Sequence, residues 1–376
     1  MAQVSKRRSL VSYLATIPDP RMERTKKHAL TDIFALTLAA TLSGAESFET
    51  VYSFGVEQEA WLRTFLPLKH GIPSADTIGR VHQLIHPQAF AACVADWLVE
   101  ACAATGLKHI AIDGKSVRGA KGRTFTGRLH LVTAWATENG IVLGQEAVAE
   151  KSNEITAIPE LLKTLDLAGT LVTIDAAGTQ VAIAHQIREQ GGDYLLPVKG
   201  NQPGLLAACR ANFADAAATD FDDPTVTTHA SVERAHGRTD ERYTLALADP
   251  KNLPADWADA KVVVQVNRER TAAGRTASTT TYYICSRRLA ARTLAKPIRR
   301  HWAIENGCHW TLDVTFREDD SRTRNKNAGA NLGLIRRAAI TLLKRVPGKA
   351  SLRTNRMRAA WNAEFRLKVL QGFSGD

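Results

Sequence analysis

The stretch that most constrains the fold begins at Lys108. KHIAIDGKSVRG reads as a strand, with Ile110 and Ile112 on one face and Asp113 on the other. RLHLVTAWATENG and IVLGQEAVAE follow as two more strands. They meet at Asn139-Gly140, a pair that tolerates the positive φ angles of a tight hairpin turn. Ser152 or Asn153 then caps a helix, EITAIPELLKTLDL. GTLVTIDAAGTQ is a buried strand ending at Asp175, VAIAHQIREQGG a helix, and DYLLPVKGNQPG a last short strand. The order strand–strand–strand–helix–strand–helix–strand implies an α/β fold with a mixed sheet: an antiparallel three-strand meander, then parallel strands. It excludes a Rossmann order, in which a helix follows the first strand.

On either side the texture changes. Residues 1–104 read as an N-terminal helical domain. Thr31 or Asp32 is expected to cap a helix through IFALTLAATL. That apolar run, Ile33 to Leu42, is about half of the roughly 20 residues a bilayer span needs, so it reads as a buried helix. FETVYSFGVEQEAWLRTFL, SADTIGRVHQLI and AFAACVADWLVEACAATG continue the helical pattern. Asp76, Thr77, Arg80 and His82 suit a helix-turn-helix-like DNA reader, but core packing with a solvated face is the commoner outcome for such helices. Residues 105–203 hold the first part of the α/β core. Residues 204–297 are a β-rich insertion with one leading helix. Residues 298–346 return to the core, and 347–376 form a basic helical C-terminal tail.

Charge follows this layout. The chain is +11 overall, yet residues 321–376 carry thirteen Lys/Arg against two acids, and residues 1–28 carry seven against two. The middle is therefore slightly acidic between two basic ends. That suits an enzyme holding divalent metal centrally and gripping a polyanion at its edges. Five scattered cysteines with no C-x-x-C pair argue against a disulfide scaffold or a cysteine-rich zinc module, and fit a reducing cytoplasm. No membrane partner and no small-molecule substrate are expected.

Metal-assisted phosphodiester chemistry needs carboxylates at exposed strand ends, because two Mg²⁺ ions about 3.5–4 Å apart prefer oxygen ligands. Asp113 and Asp175 each end an apolar strand, and pairing of those strands would bring them together. The plain alternative, that each merely caps a turn, is weakened by finding two on successive core strands. For a third ligand, HWAIENGCHW places His301, Glu305 and His309 at i, i+4 and i+8, on one side of a helix. Glu305 is ranked first and the group Glu318, Asp319 and Asp320 second. A zinc site from His301, Glu305 and His309 is disfavoured, since the H-E-x-x-H arrangement is missing and Gly307 loosens the helix.

At these residues the chain resembles the DDE-class transposases of bacterial insertion sequences, most of all the group that includes the H-repeat-associated transposases. The resembling segments are IAIDGKSVRG, KSNEITAIPELL, LVTIDAAGTQ, DYLLPVKGNQP, RAHGRTDERY and RRHWAIENGCHWTLDVTFREDDSRTRNKNAGANLGLIRR. They run in the family order over residues 30–340. The resemblance implies a ribonuclease-H-like core interrupted by a β insertion before the helix bearing the Glu, and an N-terminal helical domain. It implies that Asp113, Asp175 and Glu305, separated by 62 and 130 residues, are the metal-binding catalytic triad. Two Mg²⁺ ions, replaceable by Mn²⁺, are the expected cofactors. Double-stranded DNA, both element ends and target, is the expected partner, bound by a homodimer.

Many relatives in the wider superfamily carry Tyr, Arg and Lys around this Glu. The corresponding positions here are Ile298, His301 and Leu312, which weakens any carry-over of hairpin-forming cleavage. Arg299, Arg300 and Arg317 are expected to take over the phosphate contacts. Lys115, Arg118, Lys199 and Asn201 follow core strands and are further DNA-backbone candidates. Arg238, in the family segment with His236 and Gly237, is another. Arg322, Arg324 and the tail arginines are expected to bind phosphate without reading sequence. Two rival functions remain: a nuclease of the same fold that cuts without joining, and an inactive DNA-binding remnant.

Overall fold

A computed structural model describes residues 10–101, 108–121, 127–149, 152–235, 237–257 and 259–372. The chain divides into two compact units. One comprises Met1–Leu107, Gly114–Leu165 and Ile304–Asp376; the other comprises Lys108–Asp113 and Asp166–Ala303.

The first unit opens with helices α1 (Leu10–Leu14), α2 (Leu30–Leu42), α3 (Phe48–Glu57), α4 (Glu59–Leu62), α5 (Ala75–Leu84) and α6 (Pro87–Ala101). Buried almost throughout, α2 fits its continuous apolar run. The cap expected at Thr31 or Asp32 is not there. Ala29 is the N-cap, and Asp32 lies buried in the first turn, its carboxylate accepting the Leu68 N–H at 3.1 Å. The helix-turn-helix reading also loses a member. His82 is wholly buried between the rings of Phe34 and Phe48, 3.3 Å from the Thr37 hydroxyl, and burial pulls its pKa down to about 3. Asp76 and Arg80 stay exposed.

Strand β1 (His109–Lys121) gives its first residues to the second unit and the rest to the first. Strands β2 (Arg128–Ala136) and β3 (Ile141–Ala147) are antiparallel, and their turn uses Gly140 at φ +67, as the Asn-Gly pair predicts. Helix α7 (Glu154–Lys163) is capped by Asn153, whose side chain accepts the Ile155 N–H.

The second unit holds β4 (Leu171–Ile174), α8 (Val181–Glu189), β5 (Asp193–Val198), α9 (Pro203–Ala218), β6 (Val226–Ala235), β7 (Arg238–Ala248), β8 (Val262–Ala272), β9 (Arg275–Cys285) and α10 (Ala291–His301). Its strands lie in the order β1-β4-β5-β9-β8-β7-β6. The pairs β1–β4 and β4–β5 are parallel; β5–β9 and all later pairs are antiparallel. The β-rich segment thus extends the sheet, with Leu195 opposite Cys285. Helix α10 buries Ala291, Leu294 and Ile298, at helical spacing, in one cluster with Leu171, Leu195, Ala246, Val262, Val264, Val266 and Cys285.

Back in the first unit, α11 (Trp310–Val314), α12 (Lys326–Lys344), α13 (Leu352–Trp361) and α14 (Ala363–Leu370) complete the chain. Helix α12 is its axis. Gly329 and Gly333, one turn apart, let β2 approach closely: a Cβ there would stand 2.7 Å from Leu129 and 2.9 Å from Leu131. The C-terminal arginines correct the expectation of a purely phosphate-gripping tail. Arg336, Arg337, Arg356 and Arg366 are buried. Arg356 donates to the Thr41 carbonyl and stacks on Phe316; Arg366 donates to Gln58 and stacks on Trp61. These cations tie C-terminal helices to N-terminal ones, using the planar guanidinium both as donor and as stacking surface. Among the described residues, no helix is long and apolar enough to cross a membrane.

Candidate active site

In the second unit the last registered pair of β1 and β4 is Ile112 with Ile174. Asp113, still within β1, and Asp175, just past the end of β4, are the next residues in the chain. Parallel neighbours lie about 4.8 Å apart and share side-chain direction along the register. The two half-buried aspartates therefore follow directly on paired residues at the ends of two neighbouring strands. The backbone after Asp175 is pinned. Its Oδ1 accepts the Gly178 N–H at 3.0 Å, Asn201 Nδ2 donates to the Ala176 carbonyl at 2.8 Å, and Thr179 donates to the Pro197 carbonyl at 2.7 Å. Asn201, expected at DNA, has its amide committed to this loop. Lys199 is exposed beyond the end of β5.

On the same face of the sheet, two residues before Asp175, the Thr173 hydroxyl sits between His109 Nε2 at 2.8 Å and His301 Nδ1 at 2.9 Å. Burial lowers the pKa of His109 to about 3, helped by His301 and Arg300, and that of His301 to about 4. Burial thus favours the uncharged ring of each. The sequence offered no signal for this chain, because its members come from β1, β4 and α10.

In the first unit, Glu305 opens a π-helical turn, Glu305–His309. The i, i+4, i+8 stripe therefore does not hold, since a π turn breaks the α period; such turns recur at functional sites. Glu305 is largely exposed, yet partial desolvation raises its pKa. Ile298 and Leu312, at the departing family positions, are core residues.

The rival acids are engaged elsewhere. Glu318 is fully buried, with its Oε1 2.9 Å from Arg337 Nη1. Lys115 is also buried rather than presented to DNA. Its ammonium lies 2.7 Å from Asp313, 2.9 Å from Asp319 and 3.7 Å from Glu318. Burial lowers its pKa, but the three carboxylates more than offset this and hold it above the ordinary lysine value. Arg118 is exposed and reaches Asp319; Arg317 is exposed and pairs with Asp320 and Glu46. Arg322 and Arg324 are exposed, and Arg300 is half-buried. In the second unit, Arg299 pairs with Glu233 and Arg238 with Asp240. His236 lies outside the described residues.

Sequence reasoning missed a relay in the first unit. Ser116 Oγ is 2.7 Å from His130 Nδ1, and His130 Nε2 is 2.7 Å from Glu154 Oε1. A Cβ on Gly114 would lie 2.2 Å from that Glu154 oxygen and 2.5 Å from His130 Nε2. Glycine after Asp113 thus makes room for the His–Glu pair. Among the described residues, no three His, Cys, Asp or Glu side chains are gathered as a metal-holding group.

Comparison with known proteins decides the family. Residues 104–342 match the transposase DDE domain, and residues 11–98 match a domain described as associated with it. The chain belongs to the DDE transposase family. It is 37% identical over 375 residues to "Putative transposase YncI" of Escherichia coli O157:H7, covering 97% of this chain and 95% of that protein. It is equally similar, 37% over 374 residues, to "H repeat-associated putative transposase YhhI" of Escherichia coli K12, covering 97% and 98%. A short relative, "Inactive transposase YbfQ" of the same strain, is 36% identical over 74 residues, or 20% of this chain. The H-repeat resemblance read from the motifs is thus borne out. The DDE transposase family acts on DNA and generally uses divalent metal ions.

Proposed function

We propose that this DDE transposase hydrolyses phosphodiester bonds at the ends of an insertion sequence and then joins the freed 3′ hydroxyl to target DNA. Asp113, Asp175 and Glu305 are its metal ligands. The reading rests chiefly on the β1–β4 register, whose last pair, Ile112 with Ile174, immediately precedes the two aspartates in a chain of this family. Their oxygens are the donor type a hard divalent cation prefers, so Mg²⁺, or Mn²⁺ in its place, fits the pair. When bound, two such ions would activate the attacking water or 3′ hydroxyl and relieve charge on the leaving oxygen.

The chain's own residues supply the rest. Gly178 and Asn201 hold the Asp175 loop in one conformation. The neutral His109–Thr173–His301 set packs α10 onto the face that carries both aspartates. Glu305 follows His301 by four residues, so its Cα cannot lie farther than about 14 Å from that of His301. That tether favours Glu305 as third ligand, as does the internal pairing of Glu318. Residues 1–104 are assigned to element-end binding, and Lys199, Arg322 and Arg324 to phosphate contact. We assign the active form to a homodimer on double-stranded DNA in a bacterial cytoplasm.

The test is a nicking and joining assay on element-end DNA in Mg²⁺. Wild type should nick and then join pre-cut ends to target; Asp113→Ala and Asp175→Ala should each abolish both. Nicking by Asp175→Ala at the wild-type rate would refute the ligand assignment. Cutting without joined product would identify a nuclease only, and no cutting at all a remnant.

A further inference from the structure

On one face of the second unit's sheet, the residue type changes abruptly along each strand. Val262, Val264 and Val266 of β8 and Ala246 of β7 pack under α10. Farther along, the same face carries Arg268 and Arg270 of β8 and Arg242, Asp240 and Arg238 of β7. Register places Asp240 opposite both Arg270 and Glu233, and Arg242 opposite Arg268. The arginines converge on one nearly buried carboxylate. Arg268 reaches Asp240 Oδ1 at 2.9 Å through Nε and 2.6 Å through Nη2, and Arg270 Nε at 3.0 Å. Arg242 is 3.9 Å from the same oxygen, and Arg238 is 3.4 Å from Oδ2. Glu233 holds Arg242 at 3.5 Å and also pairs with Arg299 from the last turn of α10.

Five guanidiniums thus share two carboxylates on this face. Glu241 and Glu269, which also pair with each other, lie on the opposite face. A purely structural network would balance its charges, because crowding like charges is unfavourable. Here desolvation, then the charges of Arg299 and Arg268, lowers the pKa of Arg242. The surplus is also accessible: the side chains of Arg238 and Arg270 are 44% and 41% exposed, while Asp240 is 6% exposed. The carboxylate lies beneath and the donors reach the surface.

We propose that this face is a preorganised cradle for the DNA phosphate backbone. Arg238, Arg242, Arg268 and Arg270 are its phosphate donors, and Asp240 is the positioning residue that aims them. Arginine suits the task because its planar fork matches a phosphate with two parallel N–H donors. Fixing the forks in advance removes rotamer entropy that binding would otherwise cost. The inference rests on the DNA-acting reading above and assigns part of that contact to the β6–β8 face.

The experiment is fluorescence-anisotropy titration of a random-sequence duplex by the full chain in EDTA, across a series of salt concentrations. Arg268→Ala/Arg270→Ala should bind more weakly and lower the slope of log affinity against log salt by about 2, since each lost phosphate contact removes about 0.9. Arg238→Ala, which gives up one long ion pair and so spares the fold, should lower it by about 1. Asp240→Asn separates the cradle from a diffuse basic patch. A patch binds more tightly when it loses a negative charge; a cradle loses its aim and binds several-fold more weakly. Unchanged slopes in the arginine variants, or tighter binding by Asp240→Asn, would overturn the cradle while leaving the transposase reading intact. Absence of DNA binding by wild type would overturn both.

Discussion

Replacing Glu318 should destabilise the first unit more than replacing any exposed acid. Glu318 and Arg337 are both fully buried and 2.9 Å apart. Arg337 also donates to Thr133 Oγ1 and to the Gly333 carbonyl, both at 3.1 Å, so its position is fixed by three elements. Lys115 loses the strongest of the charges that raise its pKa but keeps Asp313 and Asp319 at 2.7 and 2.9 Å. The penalty falls chiefly on Arg337, left as a charge without its counterion in a dry site, and also on buried Arg336, 4.0 Å from the same oxygen. Breaking such a pair from one side costs about 3–5 kcal/mol. Glu318→Gln keeps an acceptor for the Nη1 hydrogen bond, which places it near about 3 kcal/mol. In a unit of this size that lowers the melting temperature by about 6–12 °C. Calorimetry on purified variants is the assay. Asp320→Asn is the control, since its side chain is 62% exposed and, among the described residues, forms its ion pair with exposed Arg317; it should melt within about 2 °C of wild type. Glu318→Leu/Arg337→Met, which removes both charges, should melt above the single variant. A Glu318→Gln protein melting with the control would show that water or local rearrangement already screens Arg337, and the reasoning would fail.

Three further outcomes follow from named contacts. Gly114→Ala forces a Cβ to within 2.2 Å of Glu154 Oε1 and should cost about 1–3 kcal/mol. Adding Glu154→Ala should recover at least about 0.5 kcal/mol in a double-mutant cycle, and strict additivity would deny the clash. Asn201→Ala frees the Asp175 loop and should slow nicking roughly tenfold while leaving DNA affinity unchanged; a parallel loss of affinity would instead return Asn201 to the DNA surface. His82 has a folded pKa of about 3, so the unfolded chain takes up a proton that the folded one refuses as pH falls below about 6.5. This opposes folding by about 1.4 kcal/mol at pH 5.5 and continues to grow down to pH about 3. Thermal melts at pH 7 and 5.5 should therefore differ less for His82→Gln than for wild type; equal differences would mean that His82 titrates normally.

The sheet was legible because its signals are local. The strand at Ile110 and Ile112, the Asn139-Gly140 turn and the Asn153 cap each depend on a few residues and each appears, although His109 to Ile112 are buried on both faces rather than on alternate ones. The approach of Asp113 and Asp175 was conditional on pairing of their strands, and β1 and β4 are parallel neighbours. Pairwise chemistry between distant segments was not legible. Lys115 and Arg337 look in sequence like any basic residues that would meet DNA. Only the fold reveals Asp313 and Glu318 beside them. The N-cap of α2 failed for a related reason: Asp32 is worth more to the buried Leu68 N–H, which has to be paired, than to a helix end.

The same contrast bears on how the cations should be counted. Net charge per segment suggested a basic tail gripping phosphate, but the buried Arg336, Arg337, Arg356 and Arg366 are already matched to carbonyls, carboxylates or aromatic faces. Buried and matched in this way, their charges count toward the pI. The arginines of β7 and β8 sit in the slightly acidic middle of the chain, yet they outnumber their carboxylates and reach solvent. For a polyanion the relevant quantity is unmatched, accessible positive charge held in a fixed geometry. On that measure the β6–β8 face ranks above the buried arginines of the C-terminal helices.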